Sequence, residues 1–179
     1  MTRIGLGTGC AIVAALSTSA VAAQPAAAPA SGIGPYVISV IEKACIPLIK
    51  GQDVKSVVQA AGLKRSHDDL VLPLAGVEKI VVSPPSGANP TVCSLELSYE
   101  VDQTKALADA LGAWAASQDP PIPVLAAASS APGSTSWSWA LDTGQLQEGL
   151  VLNARRTADG KPLGRNYDVA DVLYSRRGG

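Results

Sequence analysis

The chain has 179 residues, of which 47% are hydrophobic and 16% charged, with a formal net charge of −1. That balance excludes the basic field of a nucleic-acid-binding surface, and the length suits one domain with a real core. There is no phenylalanine and there are three tryptophans, so each tryptophan carries much of the large apolar volume.

The opening run MTRIGLGTGCAIVAALSTSAVAAQPAAAPA has a positive residue, Arg3, then an apolar Gly/Ala-rich stretch over residues 4–16, then small residues where a signal peptidase reads. This predicts a secretory signal peptide over residues 1–23, cleaved after Ala22 or Ala23. The apolar run is shorter than the roughly 20 residues of a membrane span. Cys10 lies inside it, lacks an apolar residue three positions ahead, and is expected to leave with the signal. Residues 24–33, Ala/Pro-rich, read as a disordered tether. Residues 34–175 then form one domain and 176–179 a C-terminal tail. Cleavage removes Arg3 and leaves 13 basic against 15 acidic residues. No later segment approaches span length, so no stable membrane insertion is expected once the signal is gone. The predicted location is periplasmic or secreted.

GPYVISVIEKACIPLIK reads as a helix from about Pro35, with Ile38, Ile41, Cys45 and Leu48 on one face. Pro47 should end or kink it near its last turn. GQDVKSVVQAAGLK reads as a second helix, with Asp53 as N-cap and Gly62 just past its end. The two make a helical hairpin. The period then switches to two. EKIVVS (78–83) is a short strand. TVCSLELSYEV alternates, with Cys93, Leu95, Leu97 and Tyr99 on one face and Ser94, Glu96, Ser98 and Glu100 on the other. DQTKALADALGAWAASQ is a further helix, burying Leu107, Ala110, Leu111 and Trp114. DPPIPVLAAASSAPGS reads as a long Pro/Ala/Ser connection. TSWSWALD and GLVLNARRT form a hairpin, and YDVADVLYS adds a last strand or a short helix. The expected fold is α+β: an antiparallel sheet of four to five strands, with the N-terminal helical hairpin and one further helix packed on one face.

Cys45 shares a stripe with Ile41 and Leu48, and Cys93 shares a face with Leu95 and Leu97. Both point to the interior between helix and sheet, and both survive signal cleavage. An isolated cysteine pair in an exported protein oxidises. The prediction is a Cys45–Cys93 disulfide, with a chain-entropy stabilisation of about 4 kcal/mol less any strain.

Chemistry-bearing motifs are few. His67, in KRSHDDLVLP, is the single histidine. Its neighbours Ser66 and Asp68 are no evidence of a triad, whose members meet in space and not along the chain. There is no Gly-x-Ser-x-Gly elbow and no phosphate-binding loop in a strand–loop–helix setting. His67, Asp68 and Asp69 are too few for a good metal site. Glu96 and Glu100 stand about 13 Å apart along one strand, beyond the roughly 5–9.5 Å of glycosidase pairs. No catalytic residue, metal or cofactor is predicted. Trp137 and Trp139 project to one face, either as core against Leu150, Leu152 and Ala154, or as an aromatic platform for a sugar ring or a partner. Arg155 and Arg156 open a basic segment that continues through Lys161 and Arg165. It fits an anionic envelope polymer or an acidic partner, and equally a solvated hairpin edge.

ACIPLIKGQDVKSVVQAAGL, a helical cysteine followed by a capped helix ending Ala-Gly-Leu, resembles the start of small exported bacterial proteins of unknown function, over residues 35–65. The resemblance implies export and a later strand cysteine, and brings no catalytic residue or ligand.

The functional expectation is a non-enzymatic exported domain acting through a protein or cell-envelope surface, with an envelope protein or polymer as partner. The alternatives are an envelope hydrolase using His67, and a small-ligand-binding module using Trp137 and Trp139. Binding would fall on Trp137, Trp139, Arg155 and Arg156.

Overall fold

The structure, a computed structural model, describes residues 32–178. The expected signal peptide, Cys10 and the tether as far as residue 31 lie outside the described residues. Ile33 is fully buried in the core. The chain continues through α1 (Gly34–Val40), a π-helical turn (Ile41–Cys45), α2 (Ile46–Ile49), α3 (Val54–Ala61), β1 (Lys64–Ser66), β2 (Asp69–Pro73), β3 (Lys79–Ser83), β4 (Val92–Glu100), α4 (Thr104–Ala116), β5 (Val124–Ala131), β6 (Ser134–Asp142), β7 (Leu146–Arg155) and β8 (Tyr167–Gly178).

The expected α+β fold with four to five strands is not what forms. The strands make a single 8-stranded sheet in the order β1-β2-β3-β4-β8-β7-β6-β5. Every neighbouring pair is antiparallel. The protein is mostly sheet, with short helices laid on one face. The five strands legible from alternation are β3, β4, β6, β7 and β8. The other three are β1 and β2, which form a hairpin around His67, and β5, drawn from the Pro/Ala/Ser connection. These three are short, or rich in residues of low strand propensity. Hydrogen bonding to a neighbouring strand makes them strands, not their own side chains.

The two faces of the sheet differ as the alternation dictates. One face packs on helices. It carries Ile80 and Val82 from β3, Leu95, Leu97 and Tyr99 from β4, Leu150 and Leu152 from β7, and Val172 and Tyr174 from β8, all buried. The opposite face carries Ser94, Glu96, Asn153, Asp171, Leu173 and Ser175 and has no covering layer among the described residues.

The helices explain how the covered face closes. α1, the π turn and α2 run on continuously over residues 34–49. Pro47 does not end this rod. The Ile46 N–H donates to the Ile41 carbonyl, five residues back, and this wider turn accommodates the proline ring that follows. The Cys45 and Cys93 sulfurs lie at disulfide distance, 2.09 Å, with Cα atoms 5.4 Å apart, so the rod and β4 meet where the two stripes predicted. In α3 the Asp53 carboxylate accepts from the Ser56 N–H at 3.0 Å, and Gly62 closes the helix at φ +67°. α4 buries Leu107, Ala108, Leu111, Trp114 and Ala115, lies beside α1, and crosses β6 and β7. Among the described residues no helix is long and apolar enough to cross a membrane.

Candidate functional site

The α4 N-terminus, the β5–β6 turn and the end of β7 enclose a cavity of about 460 Å³ on the helix-covered side. Each wall follows from local sequence. Thr104 and Lys105 come from the first turn of α4. Gln103, at the N-cap, makes no side-chain hydrogen bond to that turn, and no acidic residue lies in it. The first N–H groups of α4 therefore remain without a side-chain cap, at the positive end of the helix dipole. Ser130 and Ala131 come from the end of β5, and Pro132 and Gly133 from the turn that follows it. Gly133 has φ +79°, and a Cβ there would sit 3.0 Å from the Arg156 carbonyl oxygen, so only glycine lets the turn approach β7 this closely. Its own carbonyl accepts from the Arg156 N–H at 2.8 Å.

Trp137 forms the apolar wall with Ala154, two residues along the same face of the β6–β7 ladder. Arg156 forms the polar one. Its Nη2 lies 2.6 Å from Asp168 Oδ2 and 3.5 Å from Asp102 Oδ1, and its Nη1 donates to the Gly160 carbonyl at 3.3 Å. Asp168 is 1% exposed and also accepts from the Asp102 N–H at 3.2 Å. Asp102 reaches it from a left-handed φ of +65°. The Asp168 hydrogen bond lifts the Arg156 pKa above its ordinary value, so the guanidinium stays charged at any working pH. The buried carboxylate thus acts as a bracket that holds the cation against the cavity. Behind it, the Tyr99 and Thr104 hydroxyls share a hydrogen bond of 2.9 Å, and burial pushes the Tyr99 phenol up.

Two features of this lining decide its chemistry. The charged side chains that line it, Lys105 and Arg156, are both cations. Hydroxyls from Thr104, Ser130, Ser134, Thr135 and Thr157 supply most of the remaining polarity. Asp159, in the loop after β7, is turned to Lys161 Nζ at 2.7 Å and to the Thr157 hydroxyl. Lys105 pairs with Asp109 at 2.6 Å one turn along α4, an exposed contact that an incoming anion can replace. The cavity is rich in donors and has a flat aromatic wall.

The four residues singled out from sequence separate. Trp137 and Arg156 meet in the cavity. Trp139 is 4% exposed and packs under α4, 3.5 Å from where a Cβ on Gly112 would stand. Arg155 lies on the open face, where it pairs with Asp171 at 3.0 Å and Glu96 at 3.4 Å. His67 occupies the exposed turn of the β1–β2 hairpin at φ +56°, at the far edge of the sheet from the cavity. Among the described residues no group of three or more His, Cys, Asp or Glu side chains could hold a metal ion.

Asp168 and Lys105 carry no expectation from sequence, and Asp102 and Thr104 are expected only as alternative N-caps of α4, a position that Gln103 takes without a side-chain hydrogen bond. Asp168 left a signal: it alternates in register with Ala170, Val172 and Tyr174, and a carboxylate on an apolar face requires a cation. Glu148 follows the same rule at the other end of the sheet. It lies among Leu146, Leu150 and Leu152, accepts from the Tyr174 hydroxyl, and pairs with Arg176 at 3.4 Å. A shallower depression of about 450 Å³ beside it takes in Val92, Ala140, Gly149, Ser175 and Arg177. It lacks an aromatic wall.

No family model, curated protein or solved structure matches the chain. The functional reading rests on the geometry above.

Proposed function

We propose that this protein is a non-enzymatic exported binding domain that engages an acidic saccharide of the cell envelope through the cavity at the α4 N-terminus. One observation carries this: Trp137 and the bracketed Arg156 face the same donor-lined space, with no carboxylate in its lining. An indole face stacks on the apolar face of a sugar ring, and hydroxyl groups and N–H donors satisfy the ring oxygens. A guanidinium fixed by a buried partner suits a sugar carboxylate or phosphate, because its fork geometry is set before binding. Export agrees with the N-terminal signal pattern and with a cysteine pair at disulfide distance. The periplasm or the cell exterior is where such a polymer is met.

The test is titration of the mature protein with a uronic-acid oligosaccharide and with its neutral counterpart, read by calorimetry and tryptophan emission. The acidic oligomer should bind, shift the emission, and weaken with added salt. Trp137→Ala and Arg156→Gln should each abolish binding in a folded protein. Equal affinity for the neutral oligomer, or no binding of either, would overturn the reading.

A further inference from the structure

The two edges of the sheet are built in opposite ways. One edge is β1, three residues long, all exposed, including Lys64 and Arg65. Short length and exposed charge are how a sheet edge resists pairing with another chain. The other edge is β5, eight residues long, and all but Ala126 are exposed. Val124 and Leu125 are 61% and 71% exposed, the most exposed large apolar side chains described. Between Asp119 and Asp142 no residue is charged, so β5 offers no repelling group, and β6 carries a charge only at its last residue, Asp142, beyond the stretch that pairs with β5. Among the described residues, no strand lies beside the outer backbone groups of β5.

We infer that β5 pairs with β5 of a second copy of this chain, antiparallel and about a two-fold axis. Several observations favour a second copy over another extended partner. The strand carries no charge that would select a complementary peptide, whereas two uncharged copies meet without repulsion. Two register shifts, between Val124 and Ala126 and between Ala126 and Ser129, bend β5 away from regular pairing with β6. With the two-fold axis near Ala126 and Ala127, the two bends stand opposite each other, so a second β5 has its own bends where the first has them. Pairing is also closed. It consumes both uncharged edges and leaves a continuous sheet whose outer strands are the charged β1 of each copy. The axis runs perpendicular to the sheet, which puts both helical layers on the same side. Ser130 and Ala131 of β5 also border the cavity, yet the inference stands on the edge alone and survives failure of the saccharide reading.

The test is sedimentation velocity and native mass spectrometry of the mature protein over a concentration series, with Leu125→Lys, Ala127→Lys and, on the open face, Leu173→Lys. All three positions are exposed, so the fold should persist, which circular dichroism checks. A dimer that becomes monomer with either edge lysine and persists with Leu173→Lys supports the inference. Independently, amide exchange over residues 124–131 should slow as protein concentration rises. A wild-type monomer throughout would overturn it and leave the edge to an extended peptide of another protein. A dimer indifferent to the edge lysines but broken by Leu173→Lys would overturn it in favour of the open face.

Discussion

Arg155 and Arg156 are adjacent in the chain and stand on opposite faces of the sheet, Arg155 against Asp171 at 3.0 Å and Arg156 against Asp168 at 2.6 Å. The partners differ as much as the faces do. Asp171 is a third exposed and shares its cation with Glu96, while Asp168 is almost wholly buried. Arg155→Ala should therefore change stability by no more than about 1 kcal/mol, since solvent screens the group it leaves. Arg156→Gln strips a buried carboxylate of its counter-charge. It should cost about 2–3 kcal/mol, below the full value for a buried pair because the guanidinium is itself partly exposed. Urea denaturation of the two variants side by side measures the difference. Equal losses would mean that Asp168 is reached by water.

Trp137 and Trp139 should separate in the same experiment. Trp139 fills the space under α4, and its replacement by Ala should cost about 3–5 kcal/mol. Trp137 borders the cavity, so Trp137→Ala should cost clearly less while losing ligand binding. A thermal melt and a ligand titration on each variant give both quantities.

The same alternation shows how far the sequence could be read. Period two placed both tryptophans on one face, and together with the helical spacing of Ile41, Cys45 and Leu48 it turned the two cysteines towards each other. Applied to residues 155 and 156, it also separates the arginines. It could not say which tryptophan a helix would cover, because that depends on where α4 crosses β6 and β7. The cavity escaped for a related reason. Its walls come from residues 104–105, 130–137 and 154–160, brought together by strand pairing across long loops. β5 escaped because VLAAASSA has neither alternation nor β-branched richness beyond Val124. Its strand state is imposed by β6. The fold class departs from expectation through β1, β2 and β5, which lack a local signal; β3, β4, β6 and β7 carry one, and in β8 the charge spacing also permits a short helix.

The Cys45–Cys93 pair should be worth about 4 kcal/mol if it constrains the unfolded chain as its separation implies. Reduction, or Cys45→Ala with Cys93→Ala, should lower the denaturation midpoint accordingly. Alkylation without reduction should leave Cys45 and Cys93 unmodified in the denatured chain. Two added alkyl groups would show free thiols.

Alkaline pH should unfold the protein through its buried phenols. Burial, and then the Glu148 carboxylate, hold the Tyr174 pKa well above its ordinary value. A raised folded-state value favours the protonated phenol. The contribution is therefore full below the unfolded value near pH 10 and is lost as pH rises above it. Tyr99 shifts in the same direction, mainly through burial. Melting temperature measured from about pH 8 to 11.5 should fall steeply above pH 10, and less steeply in Tyr174→Phe. Parallel curves for the two proteins would remove Tyr174 as the cause.

β4 pairs with β8, so Leu95 stands opposite Val172, and this ladder alone joins the sheet's first four strands to its last four. Each half is built from strands that follow one another closely, and neither half has its central neighbour until residues 167–178 arrive. The final strand is therefore a keystone: until it is added, the chain is two incomplete sheets, each with a raw inner edge. A chain so arranged cannot close its sheet until residues 167–178 are in place between β4 and β7.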